Sequence, residues 1–175
     1  MTFKLQPHQL FRISAFISAR MGLHFPEGRW HDLGHLIESA SRDFGFDNIE
    51  EFINWLTTSS LTKGDIETLA SRLTVGETYF FREKRSFEVL ESELLPGLIQ
   101  SRQGRERRLR IWSAGCSTGE EPYSIAIMLS RAIPDLKDWN ITILATDINP
   151  HVLKKAAEGV YNDWSFRDNP PWVRE

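Results

Sequence analysis

The sequence has one cysteine, Cys116, and therefore no route to an intrachain disulfide and no Cys/His zinc spacing. It has no apolar run approaching the ~20 residues that cross a bilayer. Met1 to Leu10 contains no basic segment leading into an apolar one, so no signal peptide is expected. One-sided charge is missing as well. The 175 residues carry 21 basic and 24 acidic side chains, net −3, which excludes a general nucleic-acid binder. Dividing the chain at Leu73 changes nothing, with 7 basic and 9 acidic side chains before that point and 14 and 15 after it. Internal repeats and low-complexity tracts are absent from the sequence. What is present is the balance of a globular protein, 41% hydrophobic and 26% charged, which rules out disorder throughout. The expectation is a reduced, soluble, cytoplasmic protein with no direct membrane insertion.

From Pro7 to Leu73 the periodicity is helical. Leu10, Ile13, Ile17 and Met21 share one face of a first helix. A second is expected from about Arg29 to Phe44, with Leu33, Leu36, Ile37 and Ala40 inward and Gly45 as its stop. A third would start with Asp47 as cap and Glu50 three residues on, burying Ile49, Phe52, Ile53 and Leu56. A fourth spans Lys63 to Leu73, with Ile66, Leu69 and Leu73 inward. Residues 1–73 thus read as a small all-α domain.

Residues 74–107 read as a linker and connecting helix. A helix from about Glu83 to Gln100 would pack Phe87, Leu90, Leu94 and Leu98, with Pro96-Gly97 kinking it or ending it early. The stretch Ser101 to Arg108 holds four arginines. It could grip phosphate, but without interleaved aromatics a solvated connector is the better reading. Residues 108–175 turn to α/β. Arg110 to Ser113 reads as a buried strand, Gly115 to Gly119 as a tight loop, Glu121 to Ala132 as a helix, and Ile141 to Ala145 as a second strand. Asn149-Pro150 opens a further helix that Gly159 stops. This is a βαβ unit with two strong strands, fewer than a doubly wound sheet uses.

In the loop Ala114-Gly115-Cys116-Ser117-Thr118-Gly119, the glycines allow a ligand close to the backbone at a helix N-terminus. Its G-x-x-x-G spacing is neither the dinucleotide fingerprint nor a P-loop. Asp147, just past the second strand, can accept from both hydroxyls of a ribose, or can serve a helix-entry turn with Asn149. Of Glu120 and Glu121, one can cap the helix while the other faces a ligand ammonium. In Thr78-Tyr79-Phe80-Phe81-Arg82 the aromatics read as core, and Arg82 could hold a carboxylate in a forked pair. His31 and His35 sit at the spacing of a zinc pair, but Asp32 replaces the glutamate and a third ligand is not evident, so no metal site is expected. Cys116 reads as a small packing residue, not a nucleophile.

Taken together, Thr78 to Arg82, the run Arg110-Ile111-Trp112-Ser113-Ala114-Gly115-Cys116-Ser117-Thr118-Gly119-Glu120-Glu121-Pro122-Tyr123-Ser124, and Ala145-Thr146-Asp147-Ile148 closely resemble the chemotaxis receptor methyltransferases of the CheR type. The resemblance runs from about Leu5 to the chain end. It implies a Rossmann-like α/β methyltransferase domain, here incomplete, behind a helical N-terminal domain. It also implies methylation of chemoreceptor glutamates with S-adenosylmethionine, giving methyl esters and S-adenosylhomocysteine. Thr78 and Arg82 would contact the methionine end, with Arg82 a positioning residue for catalysis. Glu121 would meet the ammonium, Ala114 and Gly115 would line the cleft, and Asp147 would hold the ribose. Gly76 stands where the family often has an asparagine of the same site. The second helix mixes Arg29 and Arg42 with Asp32, Glu38 and Asp43, where the family often shows a basic face. The family's second half, with further cofactor contacts and an inserted β-subdomain, is missing, so these residues alone are expected to be inactive. They are expected to self-associate, exchange elements, or hold the α/β part loosely. The alternatives are a non-catalytic S-adenosylmethionine sensor of the same fold and, more remotely, a nicotinamide-binding domain.

Overall fold

The computed structural model describes residues 5–102, 106–169 and 171–174. The chain divides into two compact units, Met1–Val75 and Gly76–Glu175.

The first unit is helical: α1 (Pro7–Met21), a 3-10 turn (Glu27–Arg29), α2 (Trp30–Asp43), α3 (Ile49–Thr58) and α4 (Lys63–Leu73). Local chemistry sets most of the ends. Pro7 occupies the first turn of α1, where its missing N–H costs nothing. Gly22 closes α1 at φ 70°, a left-handed conformation that glycine adopts without strain. At α4, Thr62 and Asp65 exchange hydrogen bonds in a capping box. The cap of α3 differs from the expectation. The N-cap is Asn48, not Asp47: its backbone is extended and its side chain accepts the Glu50 N–H at 2.9 Å. Its amide reaches Glu51 at 3.4 Å, so the whole arrangement sits one residue later than expected. The core gathers Ile13, Ile17, Leu33, Ile37, Phe52, Leu56 and Leu69, all fully buried. Each such side chain stabilises the fold by roughly 1.5–3 kcal/mol.

The second unit begins with an irregular arm, residues 76–83, and continues through α5 (Lys84–Val89), a π turn (Leu90–Leu94) and α6 (Leu95–Arg102). Pro96 was expected to kink or end this helix. Instead the π turn lies directly before it, the stretch that holds the carbonyl of residue 92, which the proline ring would strike in a regular helix. The extra residue in that turn shifts the inward face by one position. Leu95 and Ile99 therefore enter the core, while Leu94 and Leu98, expected inside, are exposed.

β1 (Arg108–Ala114) and β2 (Asn140–Thr146) pair in parallel, from Arg108↔Asn140 to Ala114↔Thr146. Between them runs α7 (Glu120–Ala132), and after them α8 (Pro150–Glu158). Asn149 caps α8 by accepting the His151 N–H, and Gly159 ends it at φ 62°. β1 is half-buried, not buried. Leu109 and Ser113 point into the core, whereas Trp112 is 68% exposed and Leu144 on β2 56%. Alternation of this kind marks a strand with one face uncovered. The core of this unit joins Leu95, Leu109, Ile125, Met128, Leu129, Ile133 and Trp139. In the arginine-rich connector Arg107 pairs with Asp135 and Arg108 lies 3.5 Å from Glu106. Ser101 and Arg102 of that connector close α6, and residues 103–105 lie outside the described residues.

Replacing Asn48 by Ala should cost about 1 kcal/mol, and replacing Asp47 by Ala less than about 0.5 kcal/mol. Urea denaturation followed by helical circular dichroism distinguishes them, and a larger loss at Asp47 would return the cap to that residue.

Candidate functional site

The loop after β1 turns through three positive-φ residues, Gly115 (74°), Ser117 (49°) and Gly119 (98°). Glycine is required at 119 on two counts. Beyond its φ, a Cβ there would lie 2.6 Å from the Tyr161 hydroxyl and 2.9 Å from Ala156 Cβ. At Gly115 a Cβ would meet nothing within 4 Å, so the backbone there faces open space. The loop is anchored to the second strand. The N–H groups of Gly115 and Cys116 both donate to the Thr146 carbonyl, at 2.7 and 2.9 Å.

Asp147 joins this loop to the entry of α8. One carboxylate oxygen accepts the Ser117 N–H and the other the Asn149 N–H, both at 2.9 Å. The helix-entry role is therefore real. It does not exhaust the group, since a carboxylate has about four acceptor positions and the described residues use two.

The two glutamates of α7 divide their work. Glu120 is 3% exposed and accepts from the hydroxyls of Thr118, at 2.6 Å, and Ser165, at 2.9 Å. Glu121 is exposed and is oriented by the buried Ser113, whose hydroxyl donates to it at 2.6 Å. Glu121 faces a cavity of about 180 Å³, shared with Thr78, Arg82, Gly115, Cys116 and Ser117. Four of the expected site residues thus meet there: Thr78, Arg82, Gly115 and Glu121. Arg82 donates to the Glu77 carbonyl. It follows Phe81, which holds φ 53° and gives its N–H to Ser124 at 3.0 Å. A non-glycine residue in that region is strained by about 1–3 kcal/mol.

The other expected residues stand around this cavity, not in it. Ala114 ends β1 opposite Thr146, and Asp147 follows the end of β2. Gly76 lines a larger cleft of about 510 Å³ with Thr118, Glu120 and Tyr161. Its carbonyl accepts the Ser117 hydroxyl at 2.9 Å, and a Cβ at 76 would press on Ser117 Oγ at 3.0 Å and Val152 Cγ1 at 3.3 Å. Residues 161–169, which no motif marks, grip both arm and loop. The signal that could have pointed to them is the aromatic and polar run Trp164-Ser165-Phe166-Arg167.

Cys116 is 1% exposed, and burial, with the nearby charges of Asp147 and Glu121 added, pushes its thiol above the usual range. It packs the turn. In α2 the His31 and His35 rings meet edge to face, with their Nε2 atoms 3.2 Å apart. Among the described residues no three His, Cys, Asp or Glu side chains gather as metal ligands. Nor, among the same residues, is any helix long and apolar enough to cross a membrane.

Residues 76–174 match the family described as CheR methyltransferase, SAM binding domain. The chain belongs to the CheR methyltransferase family. It is 34% identical over 170 residues to the chemotaxis protein methyltransferase of Borreliella burgdorferi, covering 95% of this chain and 59% of that protein. It is 42% identical over 106 residues to chemotaxis protein methyltransferase 2 of Vibrio cholerae, covering 61% and 36% respectively. Against the chemotaxis protein methyltransferase of Escherichia coli the identity is 30% over 161 residues, 91% of this chain and 52% of that one. The chain thus spans about half the length of the curated relatives it matches.

The family domain takes S-adenosylmethionine as cofactor, and the residues present fit it. A zwitterionic amino-acid end needs one anionic and one cationic partner, and Glu121 and Arg82 face the same cavity. At about 180 Å³ that cavity suits part of such a molecule, since whole drug-sized ligands take ~300–1,000 Å³. Asp147, with two acceptor positions unused among the described residues, suits a diol at the end of the next strand.

Cys116 should resist modification in the native chain, reacting with a soluble thiol reagent at pH 8 about 100-fold more slowly than in the unfolded chain. Its raised thiol value also fixes a pH trend. The stabilising contribution is complete below the ordinary thiol range and is lost as pH rises through the native value. Prompt stoichiometric labelling of the folded protein would contradict the packing role.

Proposed function

We propose that the protein methylates glutamate side chains of chemoreceptor-type proteins, with S-adenosylmethionine as donor and a glutamate methyl ester as product. The observation that carries this is the pairing of Arg82 and Glu121 on one cavity, beside the strand end that bears Asp147.

When bound, the cofactor supplies an electrophilic sulfonium methyl group. The chain's residues hold and orient. Glu121, steadied by Ser113, takes the ammonium, and Arg82 pairs with the carboxylate of the same amino-acid end. Asp147 takes the ribose hydroxyls while keeping its two backbone bonds. Thr78 and the backbone at Ala114 and Gly115 border the methionine end, and Gly76 supports the loop through Ser117. A substrate glutamate, with an ordinary pKa of about 4.3, is already ionised at neutral pH and needs no general base. Alignment and exclusion of water are then what the site contributes, because opposite charges are neutralised as the ester forms. Arg82 is a positioning residue in this scheme, not a proton donor.

The test is transfer of labelled methyl from S-adenosylmethionine to a receptor fragment by the protein that carries this chain. The label should be released as methanol in mild base, the behaviour of a carboxyl methyl ester. Asp147→Asn should raise the KM for the donor by about tenfold, within the ~1–3 kcal/mol of a charged hydrogen bond to a hydroxyl. Base-stable label would exclude a glutamate ester, and cofactor binding without transfer would make the chain a sensor or interaction module.

A further inference from the structure

The arm that presents Thr78 and Arg82 has no regular structure of its own, and its one internal backbone bond joins the Arg82 N–H to the Tyr79 carbonyl at 3.3 Å. Other parts of the unit set its position. Besides the bonds from Ser117 to the Gly76 carbonyl and from the Phe81 N–H to Ser124, residues 161–169 hold it from more than eighty positions away in sequence. The Phe80 N–H donates to the Ser165 carbonyl at 2.9 Å, and the Phe80 carbonyl accepts from the Asn169 side chain at 2.7 Å. Both backbone groups of one arm residue are thus taken by the same short segment. The Phe80 ring, 3% exposed, stacks on Phe166 at 4.6 Å.

Arg167 holds Glu77, Thr78 and Tyr79. Its guanidinium lies 4.2 Å from the Tyr79 ring centroid and 4.5 Å from that of Trp164. It donates to the Thr78 carbonyl at 3.4 Å and to the Glu77 carboxylate at 3.3 Å. A planar cation with several fixed donors can stack and bond in this way at once, and a lysine ammonium cannot. The same segment also reaches the loop. Tyr161 donates to the Thr118 carbonyl at 2.8 Å, and Ser165 donates to the buried Glu120.

We propose that residues 161–169 form a clamp that fixes the arm against the loop, and that Arg167 is the positioning residue through which the clamp sets affinity for the methionine end of the cofactor. Arg167 touches neither reacting group and acts through Glu77, Thr78 and Tyr79. The consequence for the cofactor rests on the reading of the site given above, whereas the hold on the arm stands independently of it.

The experiment compares the chain with Arg167→Ala and Arg167→Lys by amide hydrogen exchange without ligand, and by titration with S-adenosylhomocysteine and with methylthioadenosine, which lacks the amino-acid end. In Arg167→Ala, exchange at residues 78–82 should accelerate at least tenfold while the core of α7 is unchanged. Affinity for S-adenosylhomocysteine should fall tenfold or more, methylthioadenosine should change less than twofold, and Arg167→Lys should not restore the difference. Unchanged arm exchange, exchange that rises equally in α7, or equal weakening of both nucleosides would overturn the proposal. If the parent chain binds neither nucleoside, the cofactor reading fails and with it the role in affinity. Arm exchange still decides whether the clamp exists.

Discussion

The Asp147 carboxylate ties the loop after β1 to the entry of α8, and the site depends on that tie. It takes the N–H of Ser117, in a loop with positive φ, and the N–H of Asn149, where α8 begins. Peptide N–H groups at such turns have no partner in a strand or helix ladder, and leaving one buried and unmet costs about 1–3 kcal/mol. One carboxylate meets two of them. The parallel strands carry the loop and Asp147 to the same end of the sheet, so a ligand there would find backbone and carboxylate side by side.

Around that tie the charges are sorted by burial. Glu120 turns inward and is met by hydroxyl donors from Thr118 and Ser165, which binds the α7 entry to the segment after α8. Glu121 turns outward toward the cavity, oriented by Ser113 from the core side of β1. Adjacent residues at a helix start point in different directions, about 100° apart at 3.6 residues per turn. One carboxylate can therefore serve the fold and the next serve a ligand. The arm adds the opposite charge through Arg82, displayed by the strained backbone at Phe81.

What the sequence makes legible is what is encoded over a few residues. Thr62 and Asp65, or Asn149, Pro150 and Gly159, mark helix ends because capping is settled by side chains next to the backbone they satisfy. The cap at Asn48 instead of Asp47 shows the limit, since both residue types cap and only the backbone angle decides. The π turn before Pro96 was not legible. It moves Leu95 and Ile99 inward in place of Leu94 and Leu98, a shift that helical periodicity cannot express. At the site, Thr78, Arg82, Gly115 and Glu121 stand in a recognisable motif and converge on one cavity. The clamp was invisible for the opposite reason. Its bonds to the arm span 85 residues and more, between Phe80 and Ser165 or Glu77 and Arg167, and carry no period.

In the function we propose, the small cavity under Arg82 and Glu121, and not the larger cleft beside Tyr161, receives the amino-acid end of the cofactor. Amide NMR of the chain during titration with S-adenosylhomocysteine addresses this directly. We expect shifts concentrated at Thr78, Arg82, Gly115, Glu121 and Asp147. Shifts confined to Lys155, Glu158 and Val160, with Gly115 and Glu121 unmoved, would contradict it.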